Sequence, residues 1–316
     1  MMIEERIPKA LIDSFRSGES PVIFIGSGMG REASPPIATA EDLAEEVCKE
    51  LNIKRNGENL SELLQYLKNT FSESDAELVR WLQKKLLHDV AAPTCTHRLI
   101  LELPTREFLT TNYDHLLSMA ATEMDGLSLR LIEHPKDWPD GAVPLSDAAH
   151  LGLIHGSFGG RALVATTDDY IDHYKKFGRK WLSVLEGIFR RRVVVFIGYS
   201  MRDFTTWTSY ISTRLRYGRE MRGHYMVAPV TGSHIVDYWR RYGQQFIPMT
   251  AKDFLIAVHR RLDTFYSRES VAVSAVAAAN HWSFGEARTR ICSHAGENGH
   301  DDLFRSAESM IQEVYR

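Results

Sequence analysis

Short apolar runs alternate along the chain with longer amphipathic stretches, the pattern of a parallel sheet covered by helices. Five runs read as strands buried on both faces: VIFIG (Val22 to Gly26), EFLTT (Glu107 to Thr111), LGLIHG (Leu151 to Gly156), VVVFIG (Val193 to Gly198) and HYMVA (His224 to Ala228). SLRLIE (Ser128 to Glu133), RALVAT (Arg161 to Thr166) and QFIPM (Gln245 to Met249) are weaker strand candidates. The interval between the first two strong strands is far longer than one crossover helix requires. Helical spacing there predicts helices over Ala40 to Leu51, Leu60 to Phe71, Asp75 to Val90 and His97 to Leu103, hence a helical module inserted over about 40–103. Further helices are expected near Asp203 to Tyr217, Ser233 to Tyr242 and Ala251 to Asp263. The rhythm changes after Phe265, and residues 266–316 read as a helical appendage to a main domain of residues 1–265. The fold class is therefore α/β, a mostly parallel sheet with helices on both faces.

Composition narrows the setting without naming a function. With 44% hydrophobic and 25% charged residues over 316 positions, the chain is an ordinary globular protein. A net charge of -3 gives no overall pull toward nucleic acid or anionic membrane, so direct binding to either is not expected. Cys48, Cys95 and Cys292 are too scattered for a disulfide framework or a paired-cysteine metal site. No leader-like start and no apolar segment of roughly 20 residues is visible, so a cytoplasmic location is expected.

Candidate chemistry gathers where four strands end. In open α/β sheets the ligand crevice lies beyond the carboxyl ends of the strands. The first strand runs into Gly26, Ser27 and Gly28, where backbone amides can approach a diphosphate, with Arg31 close behind. FLTTNYDHLL turns polar at Asn112 and Asp114; an aspartate before a helix is an ordinary cap, whereas Asn112 precedes that cap and is placed to face the crevice. LGLIHG ends in His155 and Gly156, a station suited to a general base with space beside it. VVVFIGYS ends in Gly198, Tyr199 and Ser200, with Asp203 opening the next helix; glycine and serine there can offer donors to a phosphate or ribose, or simply make a tight turn and a cap. The remaining histidines, His97 and His115 among them, form no defensible ligand spacing.

The ordered set GSG, TTNYD, His155-Gly156 and GYS resembles the sirtuin superfamily over about 20–265. The resemblance implies a Rossmann-like domain that binds NAD. Gly26, Ser27 and Gly28 would then lie around the diphosphate, Gly198 and Ser200 near phosphate and ribose, and Asp114 toward the nicotinamide amide. It places Asn112 and His155 at the reacting ribose. Protein-deacylating sirtuins carry a zinc module of two C-x-x-C pairs, which three scattered cysteines cannot supply, so no metal is expected. What remains is similar to the zinc-less bacterial sirtuin-like NAD hydrolases of antiphage defence. That likeness implies cleavage of NAD to nicotinamide and ADP-ribose, controlled by the assembly state of a homo-oligomer, by a regulatory protein partner, or by both. The alternatives are a non-catalytic NAD or ADP-ribose sensor or scaffold, and a zinc-free deacylase or ADP-ribosyltransferase.

Overall fold

The computed structural model describes residues 6–262, apart from 18–19, 72–73, 88, 125–126, 146, 161–162, 178–179, 202 and 230–232, together with Val276. The expected C-terminal appendage lies, except for Val276, outside the described residues.

Seven strands form one sheet: β1 (Val22–Ile25), β2 (Glu107–Thr110), β3 (Leu129–Ile132), β4 (Ala149–Leu153), β5 (Val194–Ile197), β6 (His224–Ala228) and β7 (Gln244–Pro248), in the order β3-β4-β2-β1-β5-β6-β7. All six pairings are parallel. The strands at the centre are apolar on both faces because helices cover both. Along β1, Ile23 and Ile25 enter one core with Phe108, Leu151, Val195 and Val227, while Val22 and Phe24 enter the other with Leu109, Val194 and Phe196. The first core is closed by α1 (Lys9–Arg16), α5 (Cys95–Leu101), α6 (Leu116–Thr122) and α11 (Ala251–Leu262). The second is closed by α8 (Lys180–Arg191), α9 (Phe204–Tyr217) and α10 (Ser233–Arg241), through Trp181, Phe189, Tyr210 and Trp239.

The chain moves outward from β1 through β2 to the edge strand β3, steps back to place β4 between β2 and β3, then crosses to lay β5 against the other side of β1. That reversal is the topological switch point, and it puts the loops after β1 and β5 side by side. The row Ile25, Thr110, Leu153 and Ile197 is in register across four neighbouring strands. Each of the four strand-end motifs therefore starts at one level of the sheet.

Helices α2 (Ala40–Glu50), α3 (Leu60–Thr70) and α4 (Asp75–Lys85) occupy the long interval after β1. Two start with capping boxes, Thr39 with Asp42 and Asn59 with Glu62, which satisfy first-turn N–H groups. Their apolar faces meet in a third core built on Leu43, Val47, Leu63, Leu67, Leu78 and Leu82. Tyr113, Leu116, Phe158 and Ala165 belong to the same core, so this bundle rests directly on the segments that follow β2 and β4. The fourth predicted helix of the module, α5, packs instead on the sheet with α6 and α11. A further helix, α7 (Thr167–Phe177), lies against α3.

Three sequence readings change. The described part of RALVAT, residues 163–166, is not a strand: it contributes one isolated antiparallel bridge, Leu163 to Gly156, just past Gly156 and Gly159, which turn the chain at positive φ. The third strong strand begins at Ala149 and stops at Leu153, with Gly156 N–H bonded back to Leu153 O, so His155 sits in a turn. Helix α4 stops at Lys85, five residues before Val90, with Leu87 at positive φ.

At the opposite, amino end of the strands, Glu107 and Arg192 form a buried pair, their side chains 1% and 15% exposed, with Arg192 also donating to Ser20 O. Removing one partner leaves the other charge stranded, so Arg192→Ala is expected to cost about 3–5 kcal/mol. Urea unfolding measures it; a loss below about 1 kcal/mol would contradict this description.

Candidate active site

The loops after β1 and β5 touch. Gly26 N–H donates to Ile197 O at 3.0 Å and Gly28 N–H to Gly198 O at 2.8 Å. A Cβ on Gly26 would lie 2.5 Å from Gly198 O, and one on Gly28 2.8 Å from the same atom. Gly198 itself has φ +62°. Loop-to-loop packing is thus what demands these glycines, and the Gly26 and Gly28 amides are already engaged. Ser27 Oγ accepts from Ala40 N–H at the start of α2, at 3.1 Å. The largely exposed Arg31 guanidinium pairs with Asp42 at 2.9 Å. Tyr199 packs its ring against Phe24 and Phe196, with its hydroxyl buried and without a hydrogen-bond partner, whereas Ser200 is exposed.

Asn112 ties β2 to β1. Its Nδ2 donates to Gly26 O at 3.1 Å, its backbone N–H donates to Thr110 Oγ1 at 3.0 Å, and Thr110 Oγ1 donates to Ile25 O. The Nδ2 bond assigns the amide orientation and leaves Oδ1 as a buried acceptor with no partner. Asp114 accepts from Leu116 N–H at 3.2 Å from one residue ahead of the cap position, which His115 occupies. Burial pushes the Asp114 carboxyl above its ordinary range, against hydrogen bonds from Leu116 N–H and the Asn112 side chain that pull it down.

Asn112, Asp114 and Thr110 line a small cavity with Met29, Leu117 and one residue the sequence reading set aside, His97. His97 is 1% exposed, and its Nδ1 accepts Thr94 N–H at 3.1 Å at the head of α5. In the neutral ring the proton therefore sits on Nε2, a buried donor with no partner. Burial holds His97 near pKa 4, so the ring is neutral at pH 7. The Thr94-x-x-His97 spacing is visible in the sequence; that α5 docks with this ring toward the end of β2 is not.

His155 is 3% exposed. Its Nε2 lies 3.3 Å from the Tyr170 hydroxyl on α7 and 3.5 Å from Asp203 Oδ1. Burial, with the nearby Asp203 charge, pushes the Tyr170 hydroxyl well above its ordinary range, so it stays protonated. Asp203 caps α9 by accepting Thr206 N–H on Oδ1 at 3.0 Å, and its Oδ2 is buried without a partner. Gly156 follows at φ +73°. The β2 and β4 ends are joined as well: Tyr113 donates its hydroxyl to Val164 O at 2.8 Å, and Val164 N–H donates to His155 O at 2.9 Å.

Contacts therefore link all four strand ends: Asn112 to Gly26, Gly28 to Gly198, Tyr113 through Val164 to His155, and His155 to Asp203. Asn112 and His155 stand at equivalent places, each two residues beyond the paired positions Thr110 and Leu153 of adjacent strands. Arg31 and the Tyr199 ring are turned to other work. Among the described residues, no group of three or more His, Cys, Asp or Glu is placed to hold a metal ion, and no helix is long and apolar enough to cross a membrane.

Residues 106–247, from the start of β2 into β7, match the model of the SIR2-like domain. NAD(+) hydrolase ThsA from Bacillus cereus is 26% identical over 215 residues, 66% of this chain and 42% of that protein. ThsA from Acinetobacter baumannii is 23% identical over 215 residues, 65% of this chain and 41% of that protein. The chain thus spans about two-fifths of the length of these relatives. A mutant Sir2 homologue bound to ADP-ribose superposes with a TM-score of 0.45 at 12% identity, covering 81% of this chain and 96% of that one. A Sir2 homologue–NAD complex gives 0.42 at 13%, covering 84% and 95%.

The buried histidines set an acid limit on stability. His97 and His224 both sit near pKa 4 in the folded chain, lowered by burial, against about 6.5 when unfolded. As pH falls through 6.5 the unfolded chain binds protons that the folded one refuses, so stability is lost between about pH 6.5 and 4, by about 3 kcal/mol for each ring. Stability from urea unfolding at pH 7.5 and 4.5 should differ accordingly, and His97→Asn, whose amide oxygen can still accept Thr94 N–H, should remove about 3 kcal/mol of the difference. Equal midpoints at the two pH values would contradict the buried neutral rings.

Proposed function

We propose that this SIR2-like chain is an NAD hydrolase, cleaving the nicotinamide–ribose bond to release nicotinamide and ADP-ribose, and that it serves as a regulated effector of antiphage defence through NAD depletion. The observation that carries the reading is the buried, unpartnered Oδ1 of Asn112, held by a bond from its own Nδ2 to Gly26 O, two residues past a strand whose neighbour ends in His155. The likeness to NAD(+) hydrolase ThsA supports it.

The chemistry asks little of an acid. Nicotinamide leaves as a neutral base because the breaking C–N bond returns its electron pair to a cationic ring, and the sugar carbon becomes oxocarbenium-like. The protein's part is to hold the ribose, present polar groups to its hydroxyls and position water. In this reading Asn112 orients the attacking water or a ribose hydroxyl through Oδ1, and His155 takes the proton from it. Asp114 faces the carboxamide of the leaving group. Gly26, Gly28 and Gly198 contribute by the close seating of their loops, Gly156 by leaving room beside His155, and the exposed Ser200 hydroxyl by donating to phosphate or ribose. Ser27 and Arg31 lie at the edge of the diphosphate track, and Arg31 reaches a phosphate only by leaving Asp42.

Unchecked NAD loss would harm the host cell, so activity is controlled by the assembly state of the chain or by a protein partner. The α2–α4 bundle is a candidate control element, since its core includes Tyr113 and Phe158, close in sequence to Asn112 and His155.

Purified protein, alone and after induced assembly, should release nicotinamide from NAD in at least one state. Asn112→Ala and His155→Ala should each slow release by about 100-fold or more while NAD affinity changes only a few-fold. Bound NAD with no release in any state, or variants turning over at the parent rate, would overturn the assignment.

A further inference from the structure

We infer that Asp203 is the positioning residue for His155: its carboxylate holds the imidazole proton on Nε2 and so leaves Nδ1 as the nitrogen that accepts a proton during cleavage. The inference rests on the NAD-hydrolase reading for its chemistry, and on geometry alone for the placement of the proton.

His155 Nε2 has two polar neighbours, Asp203 Oδ1 at 3.5 Å and the Tyr170 hydroxyl at 3.3 Å. A bare Nε2 would set its lone pair against a carboxylate oxygen, whereas an N–H there is attracted to it. The Tyr170 hydroxyl can rotate to accept from the same N–H. Asp203 is itself fixed: Oδ1 accepts Thr206 N–H in the first turn of α9, and the side chain is 13% exposed. A carboxylate is favoured at that helix end. The imidazole is fixed too, because Tyr170 stands edge-on to it with ring centroids 5.1 Å apart and Val164 N–H holds the His155 carbonyl.

The reaction step balances as follows. As the C–N bond returns its pair to nicotinamide, the oxygen of the attacking water forms a C–O bond to the vacated sugar carbon, one of its O–H bonds breaks and that proton forms a bond to Nδ1, giving ADP-ribose. The ring becomes an imidazolium whose other N–H faces Asp203, so the new positive charge arises beside a carboxylate already in place. The proton leaves to solvent after ADP-ribose departs. A third group orienting a base is the arrangement that fixes tautomer and direction in other hydrolytic sites.

The test separates this role from helix capping. Serine and asparagine both cap helices well, so Asp203→Ser and Asp203→Asn keep the start of α9 while removing the charge. Both should lower kcat for nicotinamide release on the order of 100-fold, with KM within about threefold and an unchanged melting temperature. Ring-nitrogen NMR of His155, assigned with His155→Gln, provides a readout that needs no turnover. The parent should show Nδ1 bare and an Nε2 proton protected from exchange, and that proton should enter fast exchange in Asp203→Ser. A proton on Nδ1 in the parent, or parent-like kcat in both variants, would overturn the inference. If the parent released no nicotinamide in any state while the NMR pattern held, the proposed function would fail and the placement of the proton would stand.

Discussion

The site depends on one close contact. Where the chain reverses direction across the sheet, the loop after β1 presses on the loop after β5, with Gly28 N–H on Gly198 O at 2.8 Å and no room for a Cβ on Gly26 or Gly28. Gly26 O, held in place by that contact, is the acceptor for Asn112 Nδ2. The β5 loop leads on to Asp203, which faces His155. A shift of either loop would move an amide and an imidazole carried by two other strands. Substituted glycines here would disturb the site through packing, a different route from blocking a phosphate.

Much of the sheet could be read from the chain alone. VIFIG, VVVFIG and HYMVA are apolar at every position or nearly so, because helices bury both faces, and few other structures produce such runs. RALVAT has similar residues but lies next to glycines that turn the chain, and side-chain pattern does not distinguish a strand from an extended segment with one bridge. Helix α1 escaped notice because eight residues hold too few apolar positions to establish a period, although Leu11, Ile12 and Phe15 are all buried.

For the site, local sequence showed which strand ends were polar but not which way their side chains turned. Asn112, His155 and Asp203 stood out as polar groups after apolar strands, and the structure ties them into one chain of contacts. Arg31 and Tyr199 stood in the same motifs, yet one pairs with Asp42 at the surface and the other packs its ring into the second core. His97 and Tyr170 were hidden for the opposite reason. They sit on separate helices outside the strand-end motifs, and the docking of α5 and α7 brings them to Asn112 and His155. The α2–α4 bundle looks like an insertion when read along the chain; in space it packs on Tyr113 and Phe158, which closely follow Asn112 and His155.

The most direct measurement is a crystal structure of the His155→Ala protein with NAD. The account predicts the nicotinamide ribose between Asn112 and position 155, the diphosphate across the β1 and β5 loops, and the carboxamide beside Asp114. NAD bound at another face of the molecule, with the four strand ends arranged as here, would contradict it.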